Sequence, residues 1–172
     1  MNGALDIELV LTYLEHYGLY FFFLLVFLEY LKFPLLPAGI VLPSAGIFLS
    51  QGNESFIGAV MVSLVAGIFG SLTAYSIGYF IGNPSIEKIA SKSNALKKVM
   101  DTAYDYIDKH GNRGLLFIRF VPIARTLSSL VAGTMHVKMM SFVFYSAIGI
   151  FIWNIIYMYL GYMFGGLILQ RS

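Results

Sequence analysis

Two long, uninterrupted apolar runs restrict what this chain can fold into more than any other feature. They are Phe56–Gly82 and Met139–Gly166. Each is longer than the roughly 20 apolar residues that a helix needs to cross the hydrocarbon core of a bilayer. Irregular backbone is tolerated at that depth only where protein or a wet cavity shields it. The runs therefore predict an all-α integral membrane protein.

Composition supports a membrane environment and excludes other classes. The chain is 58% hydrophobic and 12% charged, whereas soluble domains are about 45–50% apolar and about 25% charged. A net charge of +2 is too small to indicate a nucleic-acid partner, and the absence of Cys excludes disulfides and cysteine–metal sites. Met1–Tyr17 contains three acidic residues and no Lys or Arg, so we do not expect a cleaved signal peptide.

Two further apolar stretches are interrupted by residues that break helices or carry charge. Phe33–Ser50 contains Pro34, Pro37 and Pro43, and Gly114–Gly133 contains Arg119, Pro122 and Arg125. Proline lacks the amide donor and clashes with the preceding helical turn. We therefore expect Leu19–Ser50 and Leu115–Gly133 to be re-entrant segments that enter and leave the membrane on one side. Ordinary kinked spans are the alternative.

The two halves of the chain resemble each other. Three pairs of segments carry the similarity, at a spacing of 83 to 87 residues: Pro37–Gly46 with Pro122–Gly133, Ser55-Phe56 with Ser141-Phe142, and Gly78–Gly82 with Gly161–Gly165. The similarity predicts one membrane domain over residues 1–172, with a first repeat at 19–82 and a second at 113–168. One crossing per repeat makes the second repeat inverted, a plan that recurs in transporters. Chance similarity between glycine-rich helices is the alternative.

Residues 83–112 form the strongly polar linker between the repeats. Apolar or small residues recur there at alternating steps of three and four, which is typical of one helix face: Ile86, Ile89, Ser93, Leu96, Met100, Ala103 and Ile107. The linker lysines lie off that face. We therefore expect an amphipathic helix at the membrane interface. A helix packed on the end of the protein itself is compatible with the same pattern.

The basic residues predict the orientation. The linker and the following loops contain seven Lys and Arg residues, at positions 88, 92, 97, 98, 109, 113 and 138, and the N-terminal segment contains none. The positive-inside rule places the linker in the cytoplasm. Both termini are then expected outside.

Four ionisable residues lie within apolar segments, where they are costly and indicate function. They are Glu29, Lys32, Arg119 and Arg125. A turn at Pro122 would let the two guanidiniums converge, and a guanidinium offers a planar fork of donors suited to phosphate. A structural Glu–Arg pair that locks the two halves together is the alternative.

The spacing of these residues resembles the DedA family, also labelled VTT or SNARE-associated, over roughly residues 18–166. The matching pattern is Glu29-x4-Pro34-x2-Pro37-Ala38-Gly39-x3-Pro43-x2-Gly46, then Gly67-x2-Gly70-Ser71-x3-Tyr75-x2-Gly78-x3-Gly82, then Phe117-x-Arg119-Phe120-x-Pro122-x2-Arg125. The last segment is the most specific. The resemblance implies re-entrant hairpins in inverted repeats and movement of lipids across the bilayer. It also places Glu29 at an essential acidic position and Arg119 and Arg125 at an essential arginine pair.

The resemblance further implies a phosphate-headed substrate in the bacterial cytoplasmic membrane, either undecaprenyl phosphate or a phospholipid such as phosphatidylethanolamine. Protons or sodium are candidate coupling ions, and no cofactor is expected. Many relatives carry a second acid where this chain has Gly39, and some have Asp where it has Ser71. The missing acid puts proton coupling in doubt. The oligomeric state is open.

The candidate substrate-binding residues are Glu29, Lys32, Pro37, Gly39, Arg119, Pro122 and Arg125. An ion-coupled antiporter and an assembly factor without transport activity are the competing functions. We expect no catalytic or metal site, because none of the three His residues stands in a recognisable catalytic or ligand arrangement.

Overall fold

A computed structural model describes residues 7–31, 39–52, 55–82, 94–119 and 127–169. Within these ranges the chain forms seven α-helices and no strand. In chain order they are α1 (Ile7–Leu31), α2 (Val41–Ser50), α3 (Phe56–Ile81), α4 (Asn94–His110), α5 (Gly114–Ile118), α6 (Ser128–Thr134) and α7 (Met139–Leu169). Helix α1 is kinked at Gly18, whose backbone is not helical and has a φ of +58°. A single 3-10 turn, Gly111–Arg113, joins α4 to α5. The all-helical prediction agrees with this architecture.

The two uninterrupted apolar runs form the two longest helices. Helix α3 has 26 residues and α7 has 31, which gives lengths of roughly 40 and 45 Å at about 1.5 Å per residue. Both are long and apolar enough to cross a membrane, judged by length and composition. The sequence therefore predicted these two helices correctly.

The first proline-containing stretch separates α1 from α2, and these two helices pack against each other. Gly39, just before α2, has a φ of +100°, which a glycine adopts without strain. Pro43 is in the first turn of α2, where its missing N–H has no intrahelical acceptor to lose. Residues 39–40 form a turn before α2, so Phe33–Ser50 is interrupted, as predicted from its prolines. Residues 32–38, with Lys32 and Pro37, lie outside the described residues.

The second interrupted stretch has the same plan. Helix α5 ends at Ile118, α6 begins at Ser128, and the two helices contact each other. Residues 120–126, with Pro122 and Arg125, lie outside the described residues. Helix α6 ends at Thr134 and α7 begins at Met139. The apolar stretches Gly114–Gly133 and Met139–Gly166 are therefore separated in the structure, as the sequence predicted.

The chain forms two compact units that cut across the predicted repeats. The first unit contains Met1–Gly70 and Phe151–Ser172, and the second contains Ser71–Ile150. Because α3 and α7 each contribute to both units, the first unit combines α1 and α2 with parts of both long helices, and the second combines α4, α5 and α6 with the other parts. The predicted first repeat (19–82), linker (83–112) and second repeat (113–168) are segments of the sequence, whereas the two units are groups of residues in contact. The predicted repeats therefore stay a prediction.

In the first unit, α2 contacts α7 backbone to backbone at a pair of glycines. A Cβ atom added to Gly46 would overlap the carbonyl oxygen of Met158 and lie 2.7 Å from the amide nitrogen of Tyr162. A Cβ atom added to Gly161 would overlap the carbonyl oxygen of Pro43. Small residues allow this approach, which membrane helices use because lipid supplies little hydrophobic driving force between them.

The second unit repeats this crossing with α6 and α3. A Cβ atom on Gly133 would overlap the carbonyl oxygen of Tyr75 and lie 2.7 Å from the amide nitrogen of Tyr79. A Cβ atom on Gly78 would overlap the carbonyl oxygen of Leu130. Gly133 follows Gly46 by 87 residues and Gly161 follows Gly78 by 83, which is the spacing of the internal similarity. The similar segments therefore make the same contact in both units.

Helix α4 is amphipathic, as predicted for the linker. Met100, Ala103 and Ile107 are buried in the core of the second unit, together with Leu115, Ile118, Val131 and Phe142. The lysines at 97, 98 and 109 are exposed. The apolar face of α4 is therefore covered by protein, and a position at the membrane interface stays a prediction. Residues 83–93 of the linker lie outside the described residues.

The glycine crossings predict a sharp contrast between alanine substitutions. Gly46→Ala and Gly133→Ala should each lower stability by at least about 1–3 kcal/mol, because the new methyl group meets backbone that cannot move aside. Gly58→Ala is the matched control, since its Cβ would meet only ordinary contacts at 3.5 Å or more in the same kind of apolar helix. Thermal unfolding in detergent measures the difference. Equal melting temperatures for Gly46→Ala and Gly58→Ala would contradict the close crossing.

Candidate functional site

Arg119 is a buried cation in the second unit. It follows the last residue of α5, and its side chain is only 3% exposed. Its Nη2 donates to the hydroxyl of Ser146 on α7 at 2.7 Å and to the hydroxyl of Ser129 on α6 at 3.5 Å. Two helices therefore hold the guanidinium through side-chain oxygens. Such charge-assisted bonds orient the donor fork more tightly than neutral ones do.

The aliphatic part of Arg119 lies against a gap in the surface of α7. A Cβ atom on Gly149 would lie 2.8 Å from Cδ and 3.3 Å from Cβ of the arginine. Any larger residue at 149 would displace the arginine side chain. Gly149 therefore makes room for the arginine stem, while Ser146, one turn earlier on α7, binds its head.

An aromatic stack extends from Arg119 into the second unit. The guanidinium carbon lies 5.9 Å from the ring centroid of Phe142, within the range of a cation–π contact. Phe142 in turn stacks on Tyr75 at a centroid distance of 4.7 Å. The Tyr75 hydroxyl donates to the carbonyl oxygen of Val137 at 2.6 Å. The stack thereby connects the buried charge to the segment that precedes α7.

The first unit contains a neutral polar cluster at the corresponding place. Tyr30, at the end of α1, donates its hydroxyl to Asn154 Oδ1 at 2.8 Å. Asn154 Nδ2 donates to the Ser63 hydroxyl at 3.0 Å, and all three side chains are buried. The cluster ties α1, α3 and α7 together. Glu29, next to Tyr30 in sequence, is 3% exposed.

The polar positions of the two units correspond through the internal spacing. Ser146 follows Ser63 by 83 residues, and Asn154 follows Ser71 by 83. In the first unit the serine accepts from Asn154, and in the second the corresponding serine accepts from Arg119. Ser71 is 1% exposed, and its hydroxyl makes no hydrogen bond with any described residue. Equivalent serines therefore accept a hydrogen bond from a neutral amide in the first unit and from a charged guanidinium in the second.

The backbone conformation of Gly39 affects whether this position could hold the acidic residue that many relatives carry there. Its φ of +100° is rarely adopted by L side chains, although a Cβ atom there would meet nothing within 4 Å. An acidic residue at 39 would therefore require a different local backbone rather than more space. The absence of the second acid goes together with a glycine-specific turn.

Of the seven predicted site residues, the structure describes Glu29, Gly39 and Arg119. Glu29 and Gly39 belong to the first unit and Arg119 to the second. Lys32, Pro37, Pro122 and Arg125 lie outside the described residues, so the predicted convergence of two guanidiniums stays a prediction. Sequence reasoning missed Ser129, Ser146 and the Tyr30–Asn154–Ser63 cluster. The 83-residue spacing applied to polar residues would have paired Ser63 with Ser146, and Asn154 is the only Asn within the last apolar run.

The protein is a helical membrane protein. Two features indicate this class: two long apolar helices and a guanidinium buried inside the fold. Comparison with known families matches residues 36–163 to the VTT domain. The chain therefore belongs to the VTT-domain family, which includes the DedA proteins.

Known relatives carry several names. The chain is 34% identical over 137 residues to protein DedA of Escherichia coli, covering 77% of this chain and 61% of that protein. It is 29% identical over 135 residues to undecaprenyl phosphate transporter A of Bacillus subtilis, covering 78% and 68%. It is 27% identical over 165 residues to an alkaline phosphatase-like protein of Lactococcus lactis, covering 92% and 76%. No solved structure matches.

The polar cluster of the first unit predicts unequal costs at two equivalent positions. Asn154→Ala should lower stability by about 1–3 kcal/mol, because it leaves the buried Tyr30 and Ser63 hydroxyls without their amide partner. Ser71→Ala, at the equivalent position, should cost nothing or stabilise slightly, since its hydroxyl is buried without a hydrogen bond among the described residues. Melting temperatures in detergent compare the two variants. A larger loss for Ser71→Ala would refute the assignment.

Proposed function

We propose that this protein moves a phosphate-headed lipid between the leaflets of the bacterial cytoplasmic membrane, as a multi-pass membrane protein. The observation that carries the proposal is Arg119, a guanidinium 3% exposed and oriented by hydroxyls from α6 and α7. An ionisable group within a membrane protein marks a substrate or ion pathway by default. A relative of this chain is named undecaprenyl phosphate transporter A.

The proposed substrate-binding residues are those predicted from the sequence. Arg119 and Arg125 bind the phosphate, Glu29 balances their charge in the empty site, and Lys32 contributes further positive charge. Pro37, Gly39 and Pro122 shape the backbone around the site. Ser129 and Ser146 join this set as positioning residues, because they hold the guanidinium of Arg119 in one orientation. Undecaprenyl phosphate and phospholipids are the candidate substrates, with protons or sodium as candidate coupling ions.

We further propose that the two halves are inverted repeats, each with a re-entrant hairpin and a transmembrane helix. The glycine crossings support this proposal, since equivalent segments make the same backbone contact in each unit. The contacts of α1 with α2 and of α5 with α6 are those expected of two hairpins. Both termini lie outside in this arrangement, and the linker with α4 lies in the cytoplasm.

Transport is favoured over hydrolysis, although one relative carries an alkaline phosphatase-like name. Arg119 donates to two serine hydroxyls, and an oriented hydrogen-bond donor is what anion binding needs. Hydrolysis would additionally require a nucleophile and a base within hydrogen-bond reach of each other. Measuring release of inorganic phosphate beside lipid flux separates the two activities.

Equivalent serines allow a matched test of the transport proposal. Ser146→Ala should reduce the rate of lipid flux into proteoliposomes by about tenfold or more, since a hydrogen bond to a charged group contributes about 1.5–3 kcal/mol. Ser63→Ala removes the equivalent hydroxyl, whose partner is the neutral Asn154. That variant should keep most of the flux. Fluorescent undecaprenyl phosphate and phosphatidylethanolamine analogues serve as the transported lipids.

Melting temperatures of the two serine variants control for folding. The melting temperature should fall further in Ser146→Ala than in Ser63→Ala, because the first loses a hydrogen bond to a charged donor and the second loses one to a neutral amide, so flux is expressed per amount of folded protein. If both transport like the wild type, orientation of Arg119 is not part of the mechanism. If flux falls only in proportion to the amount of folded protein, Arg119 has a structural role and the transport proposal fails.

The proposed topology predicts the accessibility of two exposed positions. The chain contains no Cys, so a single introduced cysteine reports its own location. Gln51→Cys, in the turn after α2, should react with an impermeant maleimide in intact cells, and Lys98→Cys, on α4, should react only after lysis. Both native side chains are exposed, so burial does not confound the comparison. The reverse pattern would place the linker outside.

A further inference from the structure

A cavity of about 420 Å³ lies at one end of the second unit. The last turns of α3, with Tyr75, Tyr79 and Phe80, form one wall, and the segment from His136 to Met139 forms the other. None of the sequence-predicted site residues lines it. The volume falls within the usual size range of small-molecule sites.

The wall formed by residues 136–138 is fixed to α3. The Tyr75 hydroxyl donates to the carbonyl oxygen of Val137 at 2.6 Å, and the His136 ring lies 4.5 Å from the ring of Tyr79. These contacts join a loop to a long helix through one hydrogen bond and one ring contact. The cavity is therefore preformed, which lowers the entropy cost of binding.

His136 has an unusual backbone for a residue with a side chain. Its φ is +52° because His136 is the left-handed residue that ends α6: its amide donates to the carbonyl oxygen of Gly133, and the amide of Val137 donates to that of Ala132. The Nδ1 atom lies 2.9 Å from the carbonyl oxygen of Thr134 and therefore donates to it, since a carbonyl only accepts. The other ring nitrogen, Nε2, makes no hydrogen bond within the described part of the chain. It remains available to a ligand.

The cavity is positively charged. Lys138 lines it and is exposed, while none of the described lining residues is acidic. A lysine ammonium is a compact charge with three donors, suited to a phosphate oxygen. The charge pattern therefore favours an anion over a cation or a neutral ligand.

The edge of the cavity is strongly apolar. Phe80, at the end of α3, is 83% exposed, and Met139, at the start of α7, is 53% exposed. Both residues end helices that are long enough to cross a membrane. Trp and Tyr are enriched where spanning helices reach the headgroup region, and Tyr79 lines this cavity. An occupant of this cavity would meet positive charge and apolar surface together.

We propose that this cavity binds the phosphate of an anionic membrane lipid, with Lys138 and His136 at the phosphate and Phe80 and Met139 against the acyl chains. A soluble phosphate would contact the positive charge but would leave the apolar side chains at the edge without a partner. The site consists of residues other than those proposed for transport. Binding there can be measured whether or not the protein moves lipid.

Lipid titration of the purified full chain tests the proposal. Native mass spectrometry of the protein in detergent measures the affinity for phosphatidylglycerol, with phosphatidylcholine of the same acyl chains as the neutral comparison. The wild type should prefer phosphatidylglycerol. Lys138→Gln should bind it about fivefold more weakly, the contribution of one lysine near an anionic lipid surface. Lys138→Arg should retain the affinity, and so should Lys98→Gln, which removes an exposed lysine away from the cavity.

A second variant tests the histidine without adding strain. His136→Gly suits a positive φ, so the protein should fold normally while its phosphatidylglycerol affinity falls. Equal affinity in Lys138→Gln and the wild type overturns the proposal, as does equal binding of phosphatidylcholine. Full competition by millimolar glycerol phosphate overturns it too, because the site would then serve a soluble phosphate. Loss of flux in Ser146→Ala with unchanged phosphatidylglycerol binding would keep the two sites distinct.

Discussion

Direct contact between helix backbones at paired glycines is the constraint on which the rest of each unit depends. Helices in a lipid environment gain little from the hydrophobic effect against one another, so close packing and polar contacts must hold them together. At Gly46 against Gly161, and at Gly133 against Gly78, a short helix lies so close to a long one that a Cβ atom would not fit at any of the four glycines. That closeness fixes the rotation of each short helix. It thereby decides which of its side chains face the interior.

The positions of the buried polar residues depend on how the glycine contacts orient the helices. On α7, Ser146 and Gly149 are one turn apart, so the helix binds the head of Arg119 with one residue and accommodates its stem with the other. In the first unit, Asn154 on the same helix bridges Tyr30 and Ser63. Equivalent serines thus accept from a neutral amide in one unit and from a guanidinium in the other. The two units share a scaffold and differ in charge.

The proposed lipid cavity is connected to the buried arginine by aromatic rings. Tyr75 forms part of its wall and stacks on Phe142, over which the Arg119 guanidinium lies. A change at Val137, which accepts the Tyr75 hydrogen bond, would therefore reach the arginine through two stacked rings. This arrangement provides a physical connection between a headgroup site at the helix ends and a cation within the fold. Coupling between them would require that the stack has two arrangements.

Features that depend on neighbouring residues could be predicted from the sequence alone. Apolar length defined α3 and α7, prolines marked the ends of α1 and α5, and the three–four spacing identified the buried face of α4, because each reflects local backbone chemistry. The hydrogen-bond partners of the buried polar side chains became visible only in the folded structure. Arg119 donates to a serine 27 residues away and Tyr30 to an asparagine 124 residues away. Such pairs depend on how each helix is rotated about its axis, and that rotation is set by glycine contacts between helices distant in sequence.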